Sequence, residues 1–428
     1  MSVQQGAAGA GQGQDESSIR TLRLFVMALF FIFGGITSLN DVVIPKLKAL
    51  FTLNYAQAML VQFAFFIAYF LISIPGAAIV ARIGYMRTAA VGLLTMTAGC
   101  LLFIPASSSG LFIAFLGAIF VLGSGITIVQ VVSNPLISML GRPKTVHSRL
   151  TFAQAFNSVG TTVFPYVGSI LILGSLSQVD PSRLAGAALN AFRTQQTRVI
   201  VYTYFGLAAV LTLIAALVWL ARNKLVETPS EMPSLHHYVS LLKLPRFSYG
   251  ALCIFFYVGG EVAIGSLIVN YLMQSSVLGV DSEAAGKHII FYWGGAMVGR
   301  FIGAYTLRIF SPGKVLAFHA AVAIVLIVIS ANTVGLASGW SYLAIGLFNS
   351  IMFPTIFTLA CEGLGPRAAE ASGIICVAIV GGAVVPWITG RVADLSSLKM
   401  ALFVPAICYA VICGFGIFAR RPAAYAKT

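Results

Sequence analysis

The sequence predicts an all-α membrane protein with twelve transmembrane helices in two six-helix halves. Of its 428 residues, 59% are hydrophobic and 9% are charged, whereas an ordinary soluble domain carries about 25% charged residues. A water-soluble globule of this size cannot cover its surface with so few charges. The apolar residues also form runs of about 20, the length that crosses the bilayer core. These observations exclude a cytosolic enzyme, a disordered chain and a secreted disulfide scaffold.

Loops rich in charge, proline and glycine divide the chain into twelve predicted spans. In order they are 22–44, 57–81, 88–106, 111–140, 150–174, 198–221, 248–273, 286–307, 314–332, 340–361, 371–393 and 400–419. The longest charged connection follows span six and separates two halves. The predicted organisation is a disordered cytoplasmic tail, an N-terminal six-helix bundle, a cytoplasmic linker, a C-terminal six-helix bundle and a second cytoplasmic tail, at 1–20, 21–222, 223–246, 247–420 and 421–428.

The distribution of basic residues predicts the orientation. With the N-terminus inside, 17 of the 26 Lys and Arg residues lie in cytoplasmic segments and 8 lie outside, with Arg300 inside span eight. Basic residues gather in the cytoplasmic loops of membrane proteins, which explains the net charge of +14 without nucleic acid. Because the first 20 residues are polar, no cleavable signal peptide is expected, and the first helix is predicted to act as the insertion signal. Both termini are therefore predicted to be cytoplasmic.

Residues that can interrupt a helix occur at matching places in the two halves. Spans five and eleven each carry a glycine five residues before a proline, and spans four and ten each carry a proline, at Gly160 and Pro165, Gly381 and Pro386, Pro135 and Pro354. Interrupted helices in corresponding positions of two halves indicate a transporter whose binding site lies between the repeats.

Two of the twelve acidic residues fall inside predicted spans, Asp41 in span one and Glu261 in span seven. Ionisable groups at this depth are costly and usually functional. A structural carboxylate that bonds to a neighbouring helix is the alternative for each of them. We expect Asp41 to be an ion-coupling group and Glu261 to contact substrate.

Carboxamides cluster at similar depths in several spans: Gln130 and Asn134 in span four, Gln154 and Asn157 in span five, Asn270 in span seven and Asn349 in span ten. Carboxamides donate and accept hydrogen bonds, which suits sugar hydroxyls; bonds between helices are the alternative. Aromatic rings that could pack on a sugar are Trp387, Trp293, Phe353 and Tyr257.

Other chemistries lack their sequence signals. The five histidines show no ligand spacing with cysteine, and the six cysteines are interpreted as small apolar helix residues. There is no glycine-rich phosphate loop, nucleophile elbow or ATP-binding domain. The sequence therefore predicts no enzyme, no cofactor and no bound metal, and any transport must be passive or driven by a gradient.

Several strings resemble the fucose–galactose–glucose:proton symporter family of the major facilitator superfamily. They are FNSIMFPTIF at 348–357, YVGGEVAIG at 257–265, Ser372-Gly373-Ile374 with IVGGA at 379–383, LND at 39–41, NP at 134–135 and QAFN at 154–157. The resemblance covers roughly residues 21–420. It implies the twelve-helix major facilitator fold and sugar uptake.

The resemblance also implies residue roles. The family's first-helix aspartate falls on Asp41, next to Asn40, and serves in coupling and substrate binding; the fifth-helix amides fall on Gln154 and Asn157. Fucose permeases carry a glutamate where this chain has Gln130, which resembles the glucose/galactose branch instead. The loop after span two also departs, because it lacks the superfamily's acidic residue between Gly76 and Arg82.

The predicted function is cation-coupled import of a neutral hexose, with glucose or galactose and a proton favoured. A Na⁺ symporter, with Asp41 as the ion ligand, and an uncoupled carrier are alternatives. A non-transporting sugar sensor is a different class, but the longest internal loop is too short for a signalling domain. We expect a monomer in a bacterial inner membrane; the particular hexose and the resting conformation stay open.

Overall fold

The computed structural model describes residues 16–139, 146–174, 184–223, 235–362, 364 and 368–421, where all regular structure is helical. The helices are α1 Glu16–Phe51, α2 Tyr55–Ile83, α3 Tyr85–Leu101, α4 Phe103–Ser109, α5 Phe112–Met139, α6 Val146–Gly168 with a π-helical turn Ser169–Leu173, α7 Gly186–Ala221, α8 Leu235–Leu242, α9 Pro245–Leu272, α10 Ser282–Ile309, α11 Pro312–Asn332, α12 Gly335–Asn349, α13 Met352–Ala360, α14 Ala368–Ala378, α15 Gly381–Leu395, α16 Leu398–Ala401 and α17 Phe403–Phe418.

Each predicted span corresponds to one helix or one consecutive pair of helices. Within the part of the chain that the structure describes, eleven of these are long and apolar enough to cross a membrane. The twelfth, α10, has 28 residues but carries Glu283, Lys287 and Arg300, which lowers its hydropathy. The tails at 1–15 and 422–428 and the linker residues 224–234 lie outside the described residues, as do the predictions made for them.

Span six begins twelve residues earlier than predicted. Charged and amide side chains between 186 and 197 indicated a loop, yet α7 starts at Gly186. Neighbouring helices bind these polar groups: Lys46 Nζ donates to Gln196 Oε1 at 3.3 Å, and the Ser107 and Thr197 hydroxyls lie 2.6 Å apart. The polar segment is therefore a packed extension of the helix, which reaches about 54 Å at 1.5 Å per residue.

Four spans contain breaks that hydropathy did not predict, between α3 and α4, α12 and α13, α14 and α15, and α16 and α17. The break between α12 and α13 has a covalent cause. Pro354 lacks an N–H, and its ring conflicts with the carbonyl four residues earlier, that of Ser350. The helix therefore stops at Asn349 and restarts at Met352. In the first half, α5 continues through Pro135 and α6 through Pro165, so the interruptions predicted there do not occur. A membrane helix tolerates a proline where neighbouring groups satisfy the freed backbone.

Close helix contacts repeat between the two halves. At Gly160 on α6, an added Cβ would lie less than 3.0 Å from the Phe31 carbonyl of α1. At Gly381 on α15, it would approach the Phe255 carbonyl of α9 equally closely. These positions accept only glycine because the neighbouring backbone occupies the space of a side chain. The sequence repeat thus corresponds to a repeat in packing.

The helix pairs that join the two bundles include α1 with α9, α2 with α14 and with α15, and α6 and its π-helical turn with α10. We call the end with residues 52–54 and 396–397 the predicted outer end. There the Asp394 carboxylate of α15 accepts hydrogen bonds from the first two backbone N–H groups of α2, Tyr55 at 2.6 Å and Ala56 at 2.8 Å. A carboxylate at a helix N-terminus is stabilised by the unpaired N–H groups and the helix dipole. The predicted outer end is held closed in this arrangement.

Candidate functional site between the bundles

Asp41 lies on α1 at the interface between the bundles and is 3% exposed. Its Oδ1 accepts hydrogen bonds from Ser266 Oγ at 3.3 Å and from Gln62 Nε2 at 3.4 Å. Its Oδ2 accepts one from Trp293 Nε1 at 3.1 Å. Gln62 belongs to α2, whereas Ser266 and Trp293 belong to α9 and α10. The carboxylate is therefore held by donors from both bundles.

A glycine allows α9 to approach this carboxylate. A Cβ at Gly265 would lie 3.4 Å from Asp41 Oδ2 and 3.3 Å from the Trp293 ring. Any longer side chain would meet both groups. Gly265 therefore gives Ser266, the next residue, access to Asp41.

Gln62 connects Asp41 to further polar groups. Its Nε2 also donates to Ser266 Oγ at 2.7 Å, and its Oε1 accepts from Asn40 Nδ2 at 3.5 Å. Asn40 Oδ1 is buried and has no hydrogen-bond partner in the described chain. A cavity adjoins this network and is lined by Thr37, Ser38, Asp41, Gln62, Phe66, Thr161, Val262 and Trp293.

Glu261 belongs to a second network, built from two tyrosines. Tyr257 Oη donates to Glu261 Oε1 at 2.6 Å and lies 3.1 Å from the Asn349 carbonyl, so one proton serves two acceptors. Tyr292 Oη donates to the Glu261 carbonyl at 3.2 Å and accepts from Asn349 Nδ2 at 2.8 Å. Asn349 Oδ1 is buried and unpaired among the described residues. The structure thus brings together Glu261 and Asn349, two predicted site residues.

The break between α12 and α13 leaves three consecutive carbonyls without their helical hydrogen bonds. Each of them is bonded instead by a side chain from a different helix. His319 Nδ1 on α11 lies 3.0 Å from the Phe348 carbonyl. Tyr257 on α9 reaches Asn349, and Arg300 Nε on α10 donates to the Ser350 carbonyl at 3.4 Å. Irregular backbone at membrane depth is tolerated where protein groups satisfy it.

The remaining predicted site residues have varied environments. Asn157 Nδ2 donates to the Phe30 carbonyl of α1 at 3.3 Å, which is a bond between helices. Gln130 on α5 and Gln154 on α6 are half-buried, and the side chain of Asn134 lies outside the described residues. Asn270 Nδ2 is buried without a partner in the described chain. Trp387 is 41% exposed and is not among the residues lining the cavity beside Asp41.

Sequence reasoning missed Gln62, Ser266 and the contacts of Arg300. Gln62 is a lone amide in an apolar span, and Ser266 lies one turn before Asn270 on the same helix face, so both carried a weak signal. Trp293 was singled out as a stacking platform, but its indole N–H donates to Asp41 instead.

The arrangement suits reversible binding of a small cation. A buried carboxylate is costly unless its charge is compensated. For Asp41 the compensation includes hydrogen bonds from the second bundle to the first. Among the described residues, no group of three or more His, Cys, Asp or Glu side chains is placed to hold a metal ion. Helix breaks at a buried polar site between two repeated bundles define a membrane transporter of the alternating-access type.

The chain belongs to the Major Facilitator Superfamily, whose family model matches residues 26–386. It is 46% identical to a glucose/galactose transporter of Brucella abortus over 92% of both chains. It is 29% identical to the L-fucose-proton symporter of Escherichia coli, covering 96% of this chain and 95% of that one. The crystal structure of the FucP transporter in the outward conformation is similar, with a TM-score of 0.73 and 28% identity over 95% of this chain and all of that one.

Proposed function

We propose that the chain is a cation-coupled importer of a neutral hexose, with glucose or galactose and a proton favoured. The observation that carries this proposal is the Asp41 carboxylate, buried between the bundles and bonded to donors from both. The names of the Brucella abortus and Escherichia coli relatives support a sugar as substrate, and the second also supports a proton.

The coupling of cation binding to bundle movement follows from the bundles to which the hydrogen-bond donors of Asp41 belong. With the predicted outer end closed, Ser266 and Trp293 stabilise the charged carboxylate. When the bundles part there, both donors leave with the second bundle and only Gln62 remains. The charge must then be compensated by a cation from outside, so cation loading accompanies opening and cation release accompanies closure.

The sugar is proposed to bind between the amides of the first bundle and the Glu261 network of the second. The first-bundle residues are Asn40, Gln130, Asn134, Gln154 and Asn157; Glu261, Asn270, Asn349 and Trp387 are in the second. The unpaired Oδ1 of Asn349 and Nδ2 of Asn270 offer one acceptor and one donor to sugar hydroxyls. Buried polar groups without partners point to a ligand that satisfies them.

The donors around Asp41 favour a proton over Na⁺. An indole N–H and an amide N–H cannot coordinate a metal ion, whereas Na⁺ needs several oxygen ligands. A Na⁺ importer is the second candidate because Asn40 Oδ1, an unpaired oxygen, is attached through Gln62 to the Asp41 network. An uncoupled carrier is the third alternative and predicts no role for any ion.

The proposed setting is the inner membrane of a bacterium, with both termini in the cytoplasm and the monomer as the working unit. The excess of basic residues in the segments assigned to the cytoplasm supports this orientation. Import then starts from the predicted outer end.

Counterflow in proteoliposomes tests the proposal. Labelled glucose, galactose and fucose are offered at several pH values, with and without Na⁺. Counterflow of glucose or galactose and accumulation driven by a pH gradient are expected. Sugar accumulation that requires Na⁺ would identify Na⁺ as the coupling ion. Sugar counterflow without any accumulation would indicate an uncoupled carrier. Absence of sugar counterflow would refute the proposal.

A further inference from the structure

Arg300 is a charged residue inside a predicted span that the coupling mechanism does not use. It lies on α10 and contacts both bundles. Its Nε donates to the Ser350 carbonyl at 3.4 Å, within the second bundle. Its Nη1 donates to the Gln154 carbonyl at 3.2 Å and to Ser158 Oγ, both on α6 of the first bundle.

The hydrogen bonds of Arg300 depend on the planar shape of its guanidinium group. A planar guanidinium carries five N–H donors in a rigid fork, so that it can address acceptors in different directions at once. One acceptor is the carbonyl that Pro354 leaves without its usual N–H. The other two lie on the helix that carries the predicted sugar amides Gln154 and Asn157. Arg300 therefore connects the helix break to the amide-bearing helix.

The charge of Arg300 also acts on the second network, where it interacts with Glu261 and Tyr257. The basic group thus lies within electrostatic range of the acidic residue of the predicted sugar site. An arginine in a membrane span is costly and needs partners, which Arg300 has in the Ser350 and Gln154 carbonyls and the Ser158 hydroxyl.

We propose that Arg300 is a positioning residue for sugar binding, which holds the break between α12 and α13 against α6. In this role it sets the spacing between the first-bundle amides and Asn349 of the second bundle. This inference rests on the proposed function, because the spacing it controls is that of the sugar site. When the bundles rearrange, the bonds to Gln154 and Ser158 must break, while the bond to Ser350 stays within one bundle.

Three variants test the proposal in sugar counterflow. Arg300→Lys keeps the charge but loses the fork, and Ser158→Ala removes one first-bundle acceptor. Ser124→Ala is the matched control, since its buried hydroxyl donates only to its own helix at the Phe120 carbonyl. The loss of a partly buried, charge-assisted bond should raise the KM of Arg300→Lys by about 5- to 150-fold, with a smaller fall in kcat. Ser158→Ala should raise KM by a smaller factor, and Ser124→Ala should leave it unchanged.

The double variant separates positioning from general stability. With Arg300→Lys in place, adding Ser158→Ala should raise KM no further, because the shared bond is already lost. Additive effects, or a KM within about twofold of the parent in both single variants, would overturn the proposal. If Arg300→Lys does not fold, Ser158→Ala against Ser124→Ala decides alone. A purely structural role would lower the yield of folded protein and leave the KM of the folded fraction unchanged.

A measurement without sugar distinguishes this proposal from the proposed function. Spin labels on α6 and α13 report the distance that Arg300 is proposed to fix. Ser158→Ala should broaden the distance distribution and Ser124→Ala should not. If the parent protein moves no hexose, the proposed function fails. An unchanged distance distribution in Ser158→Ala independently refutes the positioning role of Arg300.

Discussion

At the residue scale, the two acids within the spans differ in what compensates their charge. Asp41 bonds to donors on α2, α9 and α10, so its environment changes when the bundles move. Glu261 bonds to Tyr257 on its own helix, one turn away, and that bond survives a rigid-body movement. This difference supports coupling at Asp41 and substrate contact at Glu261.

Asp41→Asn should stop accumulation of sugar against its gradient while exchange of labelled sugar continues. The amide cannot bind and release a proton, but it has nearly the same shape and still accepts hydrogen bonds. Concentrative uptake and counterflow are measured on the same proteoliposomes. Full concentrative uptake by this variant would contradict the assigned role.

Gln130→Ala should weaken hexose affinity by roughly 5- to 150-fold, because a lost hydrogen bond to a buried sugar costs on the order of 1–3 kcal/mol. Gln130→Glu should instead introduce a pH dependence of binding, since a buried carboxyl titrates and an amide does not. Calorimetric titration at several pH values measures both. An equivalent change at Gln57, whose Oε1 accepts from the N-cap Asn54 N–H at the predicted outer end, is the control. Unchanged affinity in Gln130→Ala would make this residue a contact between helices.

At the element scale, the spans are joined by backbone contacts that leave no room for side chains. Gly160 and Gly381 occupy corresponding places in the two halves, each against a carbonyl of the first helix of its bundle. Where helices meet this closely, one added methyl group must displace a whole helix.

Gly160→Ala and Gly381→Ala should each destabilise the protein by about 1–3 kcal/mol, the usual cost of overpacking. Gly206→Ala on α7 is the matched control, because nothing lies within 4 Å of its added Cβ. Thermal unfolding in detergent should show a fall of several degrees for the first two variants and no fall for the third. Equal stability in all three would mean that the close contacts are not rigid.

Asp394→Asn should favour opening of the predicted outer end. It removes the charge that stabilises the N-terminus of α2, an interaction of about 1–2 kcal/mol in partly buried sites, which corresponds to a 5- to 30-fold change in the ratio of open to closed forms. Distances between spin labels at the outer ends of the two bundles measure this ratio. Asp281→Asn is the control, because Asp281 caps its own helix α10 at the same end, accepting from Ala284 N–H at 2.8 Å. A similar shift in both variants would assign the effect to surface charge.

At the scale of the whole molecule, the bundles meet at the predicted outer end, where Asp394 bonds to the N-terminus of α2, and at Asp41, which bonds to Ser266 and Trp293. The FucP structure has the outward conformation, whereas in this chain Asp394 bonds to the N-terminus of α2 at the predicted outer end. The loop after span two lacks an acidic residue between Gly76 and Arg82, whereas Asp394 supplies one at the opposite end.

The orientation of the whole molecule is tested with fusions. Green fluorescent protein at the C-terminus should be fluorescent, because it matures in the cytoplasm, and alkaline phosphatase inserted after Gly279 should be active outside. The excess of basic residues in the segments assigned to the cytoplasm is the physical reason. The reverse pattern would exchange the predicted outer end with the inner end.

The prediction of two six-helix halves was confirmed by the fold and the family, because hydropathy and helix-interrupting residues are local properties of the chain. Asp41 and Glu261 could be singled out for the same reason: a charge within an apolar run is visible without a partner. Their roles stay predictions. The predicted start of span six was wrong because polar residues in its first three turns form hydrogen bonds with helices that are distant in the chain.

Only the tertiary structure decided which residues meet. Ser266 and Trp293 reach Asp41 from 225 and 252 residues away, and Arg300 reaches Ser158 from 142 residues away. No periodicity within a span encodes such pairings, because they depend on how two rigid bundles pack. The sequence by itself determined which polar groups enter the membrane; the packing of the bundles determined which of them compensate one another, since a buried polar group is stable only where a partner is placed.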